Sequence, residues 1–279
     1  MEKYGNGFNG FKVTNVRVYD LCESMVAQGY PMMTEFVDYD DAELFYDEDR
    51  KIIVAKEPDA DKYLVRKVNE KVVSSLAGCE SGSGHDNFLK GILVAFDLHY
   101  PVYWSPQFQR YSHASITSSS SSMWRLTNMD MRTAFTDNTP DWIKSSMKHM
   151  VDIYNAASKA QTAERDETFY IVESYPNKIT DREPNYTILR NREVEPYVND
   201  LDLSGITWKM FTVKEFYLRI VATCPQGLMK TMRITTNARQ LKTMIKQRKH
   251  HKLPEWHVFC EVLGSLSFWD TIKYNPLKD

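Results

Sequence analysis

Residues 212–248 read TVKEFYLRIVATCPQGLMKTMRITTNARQLKTMIKQR and predict a helix, a strand and a second helix in succession. Thr212 and Glu215 have the spacing of a capping box, in which each side chain bonds the backbone N–H of the other residue at a helix start. The proline and glycine of CPQG end that helix. Residues 228–235 have a strand pattern, and Asn237 is of a residue type that caps helices.

The second of these helices places an arginine on an apolar face. Leu241, Met244 and Ile245 are its apolar residues, and Arg248 follows them by seven, four and three positions, so that all four share one side of the helix. We therefore expect Arg248 to point toward the interior or into a cleft. A further helix is predicted from Pro254 onward, with its aromatic residues inward.

Outside this stretch, strands and helices occur without strict alternation. Apolar and polar residues alternate at 11–18, and 51–55 and 92–98 are further strand candidates. Helical patterns begin at Ser105 and cover 141–160. This order indicates an α+β fold, with a mixed or antiparallel central sheet flanked by helices.

The chain has 279 residues, enough for one large domain or two small ones. We expect a single domain over 1–279, in which the acidic segment 35–49 and the polar segment 161–204 are insertions. On the helix at 141–160, we expect Trp142 and the other apolar residues to lie on the inner side.

The composition excludes several classes of protein. Hydrophobic residues make up 42% and charged residues 26% of the chain, as in soluble globular proteins. No window resembles a membrane span and the start lacks a signal-peptide pattern, so we expect a cytoplasmic protein without a membrane partner. Four cysteines lie far apart without a CxxC pair, which argues against a metal site and a disulfide scaffold.

The charges are distributed asymmetrically. Segment 35–49 has eight acidic residues and no Lys or Arg, whereas segment 230–252 has eight Lys and Arg and no acid. An acidic run is usually a solvated surface. A basic run is equally compatible with a solvated face and with an anionic partner such as phosphate.

The residues that carry chemistry are mainly arginines. Walker, GxGxxG, HExxH and GxSxG motifs are absent from the sequence. Arginines bind phosphate bidentately, and the serine-rich loop expected at 118–122 adds hydroxyl donors, so a phosphorylated small molecule fits best. These residues also have explanations that involve no ligand. Arg248 could neutralise a helix end, Arg219 could reach solvent from a half-buried face, and His85, another candidate, could be an exposed loop histidine.

Two blocks of the chain, 83–126 and 216–262, resemble the flavin-dependent thymidylate synthases. The residues GHDNFLKGILVAFDLHYPVYWSPQFQRYSHAS are similar to that family's histidine, strand and helix leading into its arginine-rich signature. The stretches RIVATCPQG, TTNARQLKTMIKQR and EWHVF are similar to its C-terminal half. The order and the spacing of these pieces agree with the family.

The resemblance implies an enzyme that methylates dUMP to dTMP. It implies FAD as cofactor, with NADPH and methylenetetrahydrofolate as co-substrates, and a homotetramer with shared active sites. By position it assigns Arg248 and His85 to catalysis. The residues it assigns to dUMP are Gln107, Ser122 or Ser120, Arg125, Arg219 and Arg248. The residues it assigns to FAD are His85, Arg110, Tyr111, Ser112, Asn237, Arg239 and Thr243.

The chain also departs from the family pattern. It reads Arg110-Tyr111-Ser112 where the family usually has Arg-His-Arg, and Thr243 stands where the family often has asparagine. These departures leave open a related methylation or hydroxymethylation of dCMP or dUMP. An alternative of another class is a non-catalytic protein that binds nucleic acid or a nucleotide through segment 230–252. Separate arginines on different elements favour a concave small-ligand site over a flat phosphate track, so nucleic acid is disfavoured.

Overall fold

A computed structural model gives the fold, and it describes residues 7–35, 38–39, 42–56, 63–175, 184–203 and 205–278. The chain divides into two compact units. Unit 1 comprises Met1–Tyr100, Trp104–Ser119 and Thr231–Asp279, and unit 2 comprises Pro101–Tyr103 and Ser120–Lys230. The expectation of one domain with two insertions stays a prediction.

The strands within the described residues are β1 (Gly7–Phe8), β2 (Phe11–Tyr19), β3 (Glu43–Asp47), β4 (Ile52–Lys56), β5 (Tyr63–Lys67), β6 (Leu93–Pro101), β7 (Ser115–Ser119), β8 (Phe169–Tyr175), β9 (Asn185–Arg190), β10 (Thr207–Thr212) and β11 (Met229–Asn237).

The α-helices within the same residues are α1 (Leu21–Ala27), α2 (Glu70–Gly78), α3 (Ser105–Phe108), α4 (Ser122–Arg125), α5 (Asp141–Ala163), α6 (Asn191–Leu203), α7 (Val213–Thr223), α8 (Ala238–Arg248), α9 (Pro254–Gly264) and α10 (Ser267–Thr271).

Unit 1 is built on a sheet in the order β1-β2-β6-β11-β7, and it also contains the smaller sheet β3-β4-β5. The pairings β1–β2, β2–β6 and β11–β7 are antiparallel. An aromatic cluster forms part of its core: Trp104 is fully buried, with Trp256 at 4.5 Å and Phe108 at 5.2 Å between ring centres. Helices α8 and α9 pack against each other, and α9 packs against β2, which fixes the last turn of α8 beside the aromatic cluster.

Unit 2 contains the antiparallel sheet β10-β8-β9 and the helices α5 and α7. Its core includes Met147 and Met150 of α5, Ile171 of β8, and Phe216 and Ile220 of α7. The antiparallel sheets and flanking helices confirm the predicted α+β class.

The stretch 212–248 folds as predicted. Thr212 and Glu215 form the capping box at the start of α7. The side chain of Asn237 accepts a hydrogen bond from the backbone N–H of Gln240 at 2.9 Å and so caps α8. Strand β11 lies between these helices and ends at the cap. The strands predicted at 11–18, 51–55 and 92–98 correspond to β2, β4 and β6.

Two local predictions are wrong. The serine tract was expected to be a loop, but Ser118 and Ser119 belong to edge strand β7 because they pair with Arg233 and Met232 of β11. Trp142 is 69% exposed, since it lies in the first turn of α5, outside its buried stripe. For segment 161–204 the sequence predicts no elements, and the structure gives β8, β9 and α6 there, whose apolar residues Val172, Leu189 and Leu201 form a small cluster.

Candidate functional site

Arg248 lies in the last turn of α8 between two aromatic rings. Its guanidinium carbon is 5.6 Å from the ring centre of Tyr111 and 4.9 Å from that of Trp256, a cation–π arrangement. Its Nε donates to the Tyr111 hydroxyl at 2.8 Å, and that hydroxyl donates to Oε1 of Gln247 at 3.0 Å. These contacts hold the charge of Arg248 in one place. Because Arg248 is half-buried, part of the residue remains open to solvent. The helical spacing predicted this inward direction.

Gln107 joins the same group from the short helix α3. Its Oε1 accepts hydrogen bonds from the indole Nε1 of Trp256 at 3.0 Å and from Nη1 of Arg248 at 3.4 Å. Trp104 and Phe108, on either side of Gln107 in the sequence, are buried in the aromatic cluster, so α3 is firmly anchored. Unit 1 thus brings Gln107 and Arg248, two residues predicted to contact the nucleotide, into direct contact.

A buried carboxylate joins the loop around Gly84 to α8. Asp86 has 0% exposure; its Oδ1 is 3.1 Å from Nε of Arg239, and its Oδ2 is 3.5 Å from Nζ of Lys242. Lys242 also donates to the backbone carbonyls of Ala77 and Cys79. This buried network fixes Arg239 at the first turn of α8 and orders the loop beside it.

A polar cavity of about 380 Å³ adjoins this network. It is lined by Ser81, Gly82, Lys90, His113, Asn237, Arg239, Gln240 and Thr243. Two cations and several hydroxyl and amide groups line it, and these groups bind phosphate oxygens. The cavity also includes the N-terminus of α8, where the helix dipole favours an anion. Three of the residues assigned to FAD, namely Asn237, Arg239 and Thr243, therefore lie together.

A second cavity of about 450 Å³ shares Ser81 and Thr243 with the first. Its other lining residues are Gly78, Cys79, Glu80, Lys242, Lys246 and Gln247. The Thr243 hydroxyl donates to Oγ of Ser81 at 3.3 Å. Because the two cavities share residues, they adjoin along α8 and form an extended polar surface.

Other predicted FAD residues lie apart from these cavities. His85 and Ser112 are exposed residues in turns, and Arg110 is exposed in the turn after α3; none of them lines either cavity. Tyr111 contacts Arg248 instead. The FAD roles of these four residues stay predictions, and for Tyr111 the geometry indicates a role in holding Arg248.

In unit 2, Arg219 is paired with a buried acid. Its Nη2 donates to Oε1 of Glu173 at 3.2 Å and to the Tyr175 hydroxyl at 3.4 Å. Glu173, on β8, is 1% exposed. Burial opposes the charge of Arg219, but Glu173 and Tyr175 hold its pKa above the ordinary value. Arg219 is a fixed cation, and its contact with a nucleotide stays a prediction.

The residues predicted to hold the nucleotide phosphate lie on and before α4. Ser122 is the first residue of α4 and is half-buried, as is Ser120; Arg125 is the exposed last residue of that helix. Nothing in this arrangement chooses between Ser120 and Ser122. Their phosphate contacts therefore stay predictions.

The basic segment 230–252 is less available than its sequence implies. Arg233 donates to Oδ1 of Asp97 at 3.1 Å and to the backbone carbonyl of Asn15. Arg239 and Lys242 are bound to the buried Asp86, as described above. Lys249 donates to the backbone carbonyl of Leu277 at 3.3 Å. Five of the eight cations, counting Arg248, are thus committed to contacts within unit 1, which disfavours a long track for nucleic-acid phosphates.

Three contributors to these sites were missed from the sequence. The sequence patterns give Asp86, Trp256 and Glu173 no role in a site. The sequence around Asp86 does not indicate that Lys242 is its partner, because the two residues are far apart along the chain and come together only in the fold. The alternation of β8, with the acid flanked by Val172 and Ser174, gives no sign that Glu173 is buried.

The described residues contain neither a helix with the length and apolarity to cross a membrane nor a group of three or more potential metal ligands. Three of the four thiols, those of Cys22, Cys224 and Cys260, are poor nucleophiles. Burial raises the pKa of Cys22 and Cys224 to about 11 and that of Cys260 to about 12, so these groups stay protonated near neutral pH.

Comparison with known proteins gives similar solved structures. No protein-family model matches the chain, and no curated protein matches it. A crystal structure of thymidylate synthase X (ThyX) from Helicobacter pylori with FAD and dUMP has a TM-score of 0.40 and 13% identity over 75% of this chain and 83% of that chain. A second ThyX structure from Helicobacter pylori, complexed with FAD and dUMP, has a TM-score of 0.43 and 13% identity over 90% and 91%. Both belong to the family that the sequence resembles, and at these TM-scores the function has to be argued from the residues of this chain.

Proposed function

We propose that this protein is an FAD-dependent thymidylate synthase that methylates dUMP, with methylenetetrahydrofolate as carbon donor and NADPH as reductant. The observation that carries the proposal is the group formed by Arg248, Gln107 and Tyr111. In this group the guanidinium of Arg248 lies between the rings of Tyr111 and Trp256 and next to the amide of Gln107, and Arg248 is only half-buried. Such a group binds a flat polar ring and stabilises negative charge on it.

Arg248 has a direct part in the proposed chemistry. Methylation at C5 of uracil requires C5 to act as a nucleophile, and a C5 carbanion shares its charge with the C4 carbonyl. A fixed guanidinium beside the ring stabilises this charge more in the transition state than in the ground state. No enzyme nucleophile is needed, which agrees with the raised pKa values of the Cys22, Cys224 and Cys260 thiols.

The two cavities along α8 fit the polar part of FAD. Arg239 and Lys90 supply positive charge for a diphosphate, and the N-terminus of α8 adds backbone N–H groups. Asn237 fixes this helix start through its capping bond. Bound FAD would supply the redox chemistry; the chain's own residues bind and orient it.

Arg125 and Ser122 or Ser120 are proposed as contacts to the nucleotide phosphate, and Arg219 as a further arginine that contacts the nucleotide. Arg and hydroxyl donors suit a phosphate dianion. Glu173 is then a positioning residue, because it holds the guanidinium of Arg219 in place. We also propose that the enzyme is a homotetramer with shared active sites, in line with the family that the sequence resembles.

The test is mass spectrometry of nucleotides after incubation with dUMP, FAD, NADPH and methylenetetrahydrofolate. We expect dTMP from the wild type and a severe loss of turnover with Arg248→Ala. The exposed Lys252→Ala, a change in the same basic segment, is the matched control and should remain active. A hydroxymethyl product, or a product from dCMP alone, would replace the proposed reaction by a related one, and absence of any product would refute it.

A further inference from the structure

The indole N–H of Trp256 fixes which end of the Gln107 amide faces the ligand. Trp256 is fully buried, and its Nε1 lies 3.0 Å from Oε1 of Gln107. Nη1 of Arg248 lies 3.4 Å from the same oxygen. Indole and guanidinium nitrogens are donors only. The Gln107 atom that meets both of them must therefore be the acceptor, whichever way the amide could otherwise be turned.

The other end of this amide is left for a ligand. Within the described residues, Nε2 of Gln107 makes no hydrogen bond, and it is not sealed from solvent. The Tyr111 hydroxyl, its neighbour, accepts from Arg248 and gives its proton to Gln247. Gln107 and Arg248 therefore present N–H donors and no acceptor to whatever binds beside them.

We propose that Trp256 is a positioning residue that makes Gln107 a donor to the C4 carbonyl of the pyrimidine, and so selects uracil over cytosine. This inference rests on the proposed function. Uracil has a carbonyl oxygen at C4, whereas cytosine has an amino group there. A face that presents only N–H donors pairs with the C4 carbonyl of uracil. Against cytosine, the same donors meet the donor N–H groups of the C4 amino group, so that a hydrogen bond is lost and polar groups stay unpaired.

The same placement serves the chemistry. Negative charge on C5 is conjugated with the C4 oxygen, so a hydrogen bond from an N–H group to that oxygen becomes stronger as the charge develops. Uracil and cytosine both have a carbonyl group at C2. A donor placed there would bind the two bases equally well and would not bind the transition state more strongly than the ground state. The two readings are therefore separable by comparing the two bases.

The test measures the dissociation constants of dUMP and dCMP by calorimetry with the wild type and Trp256→Phe. We expect the wild type to prefer dUMP by at least about tenfold. Trp256→Phe keeps an aromatic ring but loses the shorter of the two hydrogen bonds to Oε1, and only the longer one from Arg248 at 3.4 Å remains to orient the amide. The preference should therefore fall by about tenfold. The matched control is Trp269→Phe, which loses a buried indole bond to the Leu263 carbonyl and should leave the preference unchanged.

A second variant keeps the test decisive if Trp256→Phe folds poorly. Gln107→Glu retains an oxygen for Trp256 and Arg248 but presents an acceptor to the base, so the preference should shift toward dCMP by about tenfold or more. Gln107→Met removes both polar ends, so it should weaken dUMP binding more than dCMP binding and reduce the preference for dUMP. A wild-type preference retained in Trp256→Phe, or an unchanged preference in Gln107→Glu, would overturn the inference.

Failure of the proposed function is distinguishable from failure of this inference. If the wild type binds neither nucleotide, the proposed function fails. The positioning effect is then read from the side-chain NH₂ signals of Gln107 in ¹⁵N-labelled protein. Rotation of the amide should be slower in the wild type than in Trp256→Phe, and equal rotation in the two proteins would overturn the effect of Trp256 on Gln107.

Discussion

Replacing Asp86 by asparagine tests the buried network that holds the loop around Gly84 against α8. The asparagine has nearly the same shape, so the change removes one negative charge and little packing. Asp86 is 0% exposed and its partner Lys242 is 3% exposed, with 3.5 Å between Oδ2 and Nζ. Arg239, at 3.1 Å from Oδ1, is 18% exposed at its side chain. The substitution therefore leaves a buried ammonium and a mostly buried guanidinium without their counter-charge.

Removing one partner of a buried ion pair costs about 3–5 kcal/mol. The two backbone carbonyls that Lys242 contacts remain, which places the expected cost at the lower end, about 3 kcal/mol. At roughly 2–4 °C per kcal/mol for a protein of this size, thermal unfolding should begin about 10 °C earlier. Differential scanning calorimetry measures this shift, with Asp49→Asn as control because Asp49 is exposed in a turn.

A double variant separates the charge effect from packing. Lys242→Met in the Asp86→Asn background removes the uncompensated ammonium and keeps a long apolar side chain, so it should recover part of the lost stability. An unfolding temperature of Asp86→Asn within about 2 °C of the control would refute the argument that the network is buried and mutually compensating.

Two further predictions concern single carboxylates. The hydrogen bond from Asn15, aided by Arg233, holds the pKa of Asp97 below its ordinary value. The ionised Asp97 therefore contributes about 1 kcal/mol to the free energy of unfolding. This contribution is present above the unfolded-state pKa and is lost as the pH falls through the lower folded-state pKa. The difference in urea unfolding free energy between wild type and Asp97→Asn should therefore shrink from pH 7 to pH 3, and a constant difference would contradict this. Glu173→Gln should lower the free energy of unfolding by about 2 kcal/mol and weaken dUMP binding, whereas the exposed Glu195→Gln should change neither; unaltered dUMP affinity would mean that Glu173 does not position Arg219 for the nucleotide.

Much of the stretch 212–248 was predictable because its signals are local. The capping box at Thr212, the cap at Asn237 and the spacing of Arg248 behind its apolar neighbours each depend on residues within a few positions. Local backbone chemistry decides where such helices begin. The structure confirms all three.

The partners of the site residues were not predictable, because they are set by distant contacts. The bond from Trp256 to Gln107 and that from Lys242 to Asp86 join residues more than a hundred positions apart. The strand at Ser115–Ser119 was missed for a related reason: serines have no strand pattern of their own, and pairing with β11 determines their conformation.

The resemblance assigns roles to individual residues, which the residue patterns alone do not. It assigned Gln107 and Arg248 to one nucleotide, and these side chains are in contact. It assigned Tyr111 to FAD, whereas the fold brings Tyr111 to Arg248. A tyrosine hydroxyl both accepts and donates a hydrogen bond, so this departure from Arg-His-Arg has a structural use in orienting Arg248.

The most direct test of the proposed function is tritium release from dUMP labelled at C5, with FAD, NADPH and methylenetetrahydrofolate present. Substitution at C5 must expel that hydrogen, so we predict release by the wild type that requires all three additions and is abolished in Arg248→Ala. Circular dichroism of the variant checks that it remains folded. Absence of release by the folded wild type, or equal release by Arg248→Ala, would contradict the assignment of this chain as a flavin-dependent thymidylate synthase with Arg248 in its active site.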